Sequence, residues 1–149
     1  MVVTLSANAA YTVGAPSSAT VTISDDDGTA LTLAEAVDQA SWTITNGGNA
    51  NWSGQTAVSH DGVDAGRSGT ITDSQSTWME TTVTGPGTLS YWWKVSSESG
   101  YDYLRFYIDG IEQTGSISGE VNWAQRAGIS ITAGTHTLAW VYTKDGSLS

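Results

Sequence analysis

The side chains able to act on a substrate are few, and they are unevenly placed. Histidine occurs twice, at His60 and His136. The two are far apart in sequence, and neither belongs to a GxSxG, an HExxH or a phosphate-binding glycine loop. His60 opens the turn HDGVDAG and His136 starts a strand, so both read as surface or turn residues rather than as a base and a ligand. Fifteen acidic residues leave room for the paired carboxylates of glycoside hydrolysis. Almost all of them stand in turns beside Gly or Ser, as solvated loop charges do. On this census the chain is expected not to be an enzyme.

The same acids offer hard oxygen ligands, which suit calcium and its shell of about six to eight oxygens. Asp25, Asp26 and Asp27 form one candidate site at the end of the strand ATVTIS. Asp61 and Asp64 in HDGVDAG form a second, and Glu98 with Asp102 in SESGYD a third. None has the spacing of an EF-hand loop. Calcium ligation and simple solvation both remain open for these groups.

The sharpest chemical feature is aromatic. In GPGTLSYWWKVSSESGYDYLRFYIDG, residues 85–110, two strands of period two are joined by a polar loop. Leu89, Tyr91, Trp93 and Val95 share a face in the first strand, and Leu104, Phe106 and Ile108 share one in the second. Burying such side chains stabilises by about 1.5–3 kcal/mol each, so these faces should turn to the core. The opposite faces carry Trp92 and Lys94 on the first strand, and Tyr101, Tyr103, Arg105 and Tyr107 on the second. With the two strands as neighbours, these six residues form one outer surface. Flat rings beside hydrogen-bond donors suit a sugar, a protein interface enriched in Tyr, Trp and Arg, or cross-strand packing beneath another element. Trp42, Trp52, Trp123 and Trp140 read as core or loop anchors. The sequon NWS at Asn51–Ser53 carries little weight.

Composition sets the frame for these groups. The 149 residues hold five basic and fifteen acidic side chains, for a net charge of −10. Such a surface repels nucleic acid and anionic membranes. No stretch approaches the roughly 18 apolar residues of a membrane span, and the N-terminus lacks the regions of a signal peptide. The absence of cysteine excludes disulfides and thiolate metal sites. Abundant Gly, Ser and Thr with seven Trp indicate an all-β protein rich in turns.

Alternation places strands at Val2–Ser6 and Ala19–Ser24, a short helix or linker at Leu31–Gln39, and further strands at Ser41–Thr45, Thr56–Ser59, Ser68–Ile71 and Trp78–Val83. Beyond the central pair, strands follow at Ile111–Ser118, Val121–Ala127, Ile129–Thr132 and Thr135–Thr143. Short strands at about ten-residue spacing predict an antiparallel β-sandwich in jelly-roll style, preceded by a two-strand segment.

Two resemblances add to this. VTLSANAAYTVGAPSSATVTISDDD resembles the last two strands of a Calx-beta domain, whose terminal acidic run commonly ligates calcium. The larger part resembles a jelly-roll module of large bacterial surface and secreted proteins, related in style to MAM, laminin-G-like and carbohydrate-binding domains. SHDGVDAGRSGTI, GPGTLSYWWKVSSE, YDYLRFYIDG and GTHTLAWVYTKDGS carry that second likeness. Together they imply a Calx-beta-like remnant over 1–28, a linker over 29–40 and a jelly-roll module over 41–149, with one further strand expected after the KDGS turn. The expected protein is an extracellular or cell-surface bacterial module that binds a polysaccharide or glycoprotein, with calcium as cofactor. Alternatively, neighbouring copies of the same chain complete one another's sheets by strand donation.

Overall fold

The computed structural model describes residues 2–4, 18–20 and 31–146. Within them the chain is all-β, and every ladder is antiparallel. The first strands, β1 (Val2–Thr4) and β2 (Ser18–Thr20), pair with each other as a separate two-stranded sheet. The remainder of the two strands expected there lies outside the described residues, as do Asp25, Asp26 and Asp27.

A single turn of helix follows, α1 (Leu33–Ala36), shorter than the expected span. Thr32 caps it, accepting a hydrogen bond from Glu35 N–H while the Glu35 carboxylate takes the Thr32 N–H, a reciprocal capping box. One turn cannot persist by itself. Here Leu33 and Ala36 are buried, and Leu33 joins the core.

The strands β3 (Ile44–Gly48), β4 (Ser53–Gln55) and β5 (Ala65–Arg67) come next. β4 and β5 pair only with each other among the described residues. The strands expected at Thr56–Ser59 and Ser68–Ile71 are thus replaced by a ladder displaced a few residues toward Gly54 and Gly66. Those glycines leave room for the flank of the helix: a Cβ at Gly54 would press on Leu31, and one at Gly66 on Val37 and Leu33.

Two long strands dominate, β6 (Ser76–Ser96) and β9 (Glu120–Thr143), with β7 (Tyr103–Ile108) and β8 (Ile111–Glu112) between them in sequence. They form one sheet in the order β3-β6-β9-β7-β8. The stretches read as separate strands within 120–143 are one continuous strand, interrupted only by register shifts against β6. The strand expected over Ile111–Ser118 is reduced to β8 and a lone bridge from Ile117 to Leu104.

The β6–β9 ribbon doubles back on itself. Tyr91 stands 12 positions beyond Met79 on β6, about 40 Å along a straight strand. Yet its ring lies 5.4 Å from that of Trp140, the β9 partner of Met79. The reversal falls at Gly85–Gly87, where the ladder slips register. Gly85 is required there, because any Cβ would overlap the Thr132 carbonyl. The far half of the ribbon therefore forms one layer of a sandwich, and the near half with β3, β7 and β8 forms the other.

The expected inward faces are the ones that meet between these layers. Trp93, Val95, Leu104, Phe106, Leu138 and Trp140 are all buried in one cluster. Tyr91 stacks at an angle on Phe106, 5.3 Å away, and edge-on to Trp93, 5.4 Å away. Thr77 and Thr81 are also buried, their hydroxyls donating to the Gly47, Ala50 and Thr43 carbonyls, so neither leaves a polar group unmatched.

Candidate functional site

Sheet order separates the six residues expected on one surface. β9 lies between β6 and β7, so the strands carrying Trp92 and Tyr103 are not neighbours. Tyr91 and Trp93 face Phe106 and Trp140 across the core. Trp92 and Lys94 must therefore project from one outer face, and Tyr103, Arg105 and Tyr107 from the opposite one. Alternation assigns a residue to a face of its own strand but is blind to which layer that strand joins.

On the β7 side the side chains are tied to one another. Arg105 donates from Nη1 to Thr143 Oγ1 at 2.7 Å, reaches Glu112 Oε1 at 3.5 Å, and lies 4.4 Å from the centre of the Tyr103 ring. The Tyr103 hydroxyl donates to the Gly100 carbonyl. Burial pushes the Tyr107 phenol above its ordinary value, and the charge of Glu112 adds to this. Tyr101 is left largely exposed at the rim.

The other face is more open. Trp92 stays 42% exposed on a strand whose alternate residues are core. The His60 ring stacks on it with centroids 3.9 Å apart and planes 15° from parallel. Trp123 approaches His60 edge-on at 6.1 Å. Lys94 Nζ lies 3.5 Å from Asn122 Oδ1 beside this group. His60 is the member that sequence reasoning missed: its turn is legible in HDGVDAG, but nothing in the local pattern shows that the turn hangs over Trp92.

Below the stack runs a groove of about 940 Å³ between the far half of β6 and the α1–β4–β5 flank. Its lining includes Trp42, Trp52, Trp92, Trp93 and Trp123. The Trp52 indole N–H is buried and meets no acceptor among the described residues.

The acids resolve into two clusters. Asp61 and Asp64 converge with Asp38, their carboxylate oxygens within 4.8 Å of one another, at the helix side of the groove. Asp38 follows the helix, and no motif links it to the other two. Removal from water raises the Asp64 carboxyl above its ordinary value, and the negative charges of Asp38 and Asp61 push it further. Three carboxylate oxygens supply part of the shell that calcium takes, and the ion would relieve their repulsion.

Glu98 and Asp102 gather with Asp145. Asp102 is fully buried, and a lysine already meets its charge. Lys144 Nζ lies 2.6 Å from Oδ2, and the Asp145 N–H donates to Oδ1 at 3.1 Å. Burial opposes ionisation of Asp102, but the Lys144 and Asp145 hydrogen bonds outweigh it and hold the carboxyl below its usual value. The hydrogen bond to Asp102 raises Lys144 in turn.

His136 lies within β9, hydrogen-bonded through Nδ1 to Asp109 Oδ2 at 2.7 Å and through Nε2 to Thr132 Oγ1 at 3.0 Å. The Asp109 bond raises the histidine, and the His136 bond lowers the aspartate.

No family model, no curated protein and no solved structure matches this chain.

Proposed function

We propose that the chain is a non-catalytic binding module that holds a polysaccharide or glycoprotein glycan on the Trp92–His60–Trp123 platform. The exposure of Trp92 carries this reading: the ring is left 42% exposed on a core strand even with His60 stacked on it, and the uncovered apolar surface of the stacked rings suits the C–H face of a sugar. Lys94 with Asn122, and Gln125 as the β9 partner of Trp92, add polar groups able to meet hydroxyls. The likeness of the sequence to jelly-roll modules of bacterial surface proteins supports the same reading and an extracellular or cell-surface setting. The Thr132–His136–Asp109 chain has the hydrogen-bond order of a hydrolase relay. It lines neither the groove nor the smaller hollow beside Trp42, and Asp109 Oδ1 is occupied by the Thr137 N–H, so we read it as a turn lock. Calcium is proposed at Asp38, Asp61 and Asp64, where it would brace the turn that carries His60.

Replacing Trp92 by Ala should abolish retardation of the protein in polysaccharide-containing gels while leaving its circular dichroism unchanged. A Trp92→Ala protein retarded as strongly as the original would refute the platform.

A further inference from the structure

Among the described residues, the far half of β6 has a ladder neighbour on one side only. β9 pairs with it along its length, whereas β3 pairs only with Thr77–Thr81. Each residue from Thr88 to Ser96 lines the groove in unbroken succession. Side chains of a strand alternate between faces, so such a run meets the groove through its backbone edge. At about 3.3 Å per residue this edge is on the order of 30 Å long. Alternate N–H and C=O groups along it point away from β9 and have no ladder partner among the described residues. The groove floor is core: Trp93, Val95, Leu104, Trp140 and Met79 line it. The unmatched indole N–H of Trp52 lies there too. The only charged side chain on the edge, Lys94, reaches toward Asn122.

The chain also holds a two-stranded ladder that joins no larger sheet among the described residues. β1 and β2 hydrogen-bond only with each other among the described residues, and a lone two-stranded ladder is marginal in water. The sequence running on from β2 alternates strictly. Ala19, Val21 and Ile23 form an apolar row and Thr20, Thr22 and Ser24 a polar one, before Asp25, Asp26 and Asp27. An apolar row of this kind suits the groove floor. Of the basic residues that line the groove, Arg67 and Lys94 are opposite in sign to the aspartate run, while Lys144 is paired with Asp102 and Asp38, Asp61, Asp64 and Glu80 line the groove as well.

We propose that the edge Thr88–Ser96 is a strand acceptor, filled by residues 18–24 of a second copy of this chain. The donor strand then adds to β6, its alternate apolar side chains close the core, and its main chain satisfies the open edge. The acceptor is the backbone edge of β6 whereas the glycan platform is the ring surface at Trp92, although His60, Trp92 and Trp123 also line the groove.

The test uses the full chain. Light scattering over a concentration series should show mass rising above that of the monomer. Val21→Asp with Ile23→Asp should return it to a monomer of unchanged circular dichroism, with ~10-fold faster amide exchange across Thr88–Ser96. A synthetic ATVTIS peptide should dissolve the wild-type assembly. Three results would overturn the proposal: a full chain that is monomeric throughout, a double variant that assembles like the original, or a monomer with Thr88–Ser96 already protected, which would mean that the edge is filled within one chain.

Discussion

Asp102 shows how a single residue can look like a ligand and serve as an anchor. It is fully buried, and a buried carboxylate persists only when paired and hydrogen-bonded. Lys144 supplies the charge and Asp145 the backbone donor, so the last described turn is fastened to the loop before β7. Replacing Lys144 by Met should destabilise the protein by about 2 kcal/mol at pH 7, below the range for wholly buried pairs because the lysine is 24% exposed. The sign with pH follows from the lowered Asp102 value. Its contribution in the original protein is present above the unfolded value of about 3.9 and is lost as pH falls through the folded one. In the Lys144→Met variant the unpaired carboxylate titrates higher, so the gap between the two proteins should narrow as pH falls toward 4. Urea midpoints across that range measure it, and a gap that stays constant would count against the pair. From the sequence, Asp102 in SESGYD was indistinguishable from a calcium ligand, because the lysine that neutralises it is 42 positions away.

Among the elements, the turn at Gly85–Gly87 decides the architecture, since it sends the β6–β9 ribbon back across itself. Gly85→Ala places a methyl group against the Thr132 carbonyl, and the backbone must part to admit it. A loss of about 1–3 kcal/mol is expected, as in other overpacked sites, and a melting temperature equal to the original would show that the reversal tolerates a side chain. The faces of β6 and β7 were legible in the sequence. Period two put Trp93 and Val95, and Leu104 and Phe106, on their buried sides. The reversal was not legible, because alternation continues on both sides of it. Nor was the β4–β5 pairing: residues 53–55 (SGQ) and 65–67 (AGR) contain no apolar alternation and are held instead by the close packing of Gly54 and Gly66 on the helix flank.

At the scale of the whole molecule, the −10 charge and the crowding of Asp38, Asp61 and Asp64 within 4.8 Å belong together. A protein that repels itself in this way gains from a divalent cation that binds only the folded form. Millimolar calcium should raise the melting temperature by a few degrees, and Asp64→Asn should remove the effect. The same melting temperature with calcium and with chelator would leave the cluster as a solvated charge. The sequence showed two of these aspartates, but Asp38 entered only when the helix was packed against the β4–β5 flank.

One consequence of the doubled ribbon concerns load. The start of β6 and the end of β9 are paired, Ser76 with Thr143, and Lys144 N–H extends the ladder to the Gln75 carbonyl. Traction between these two neighbouring points therefore opens the β6–β9 hydrogen bonds one at a time, like a zipper, whereas traction applied through the far loop at Ser97–Gly119 meets the ladder from its opposite end. In either direction both layers share the same two strands, so a tear begun in one layer runs into the other, and the sandwich has no seam along which half of it could be spared.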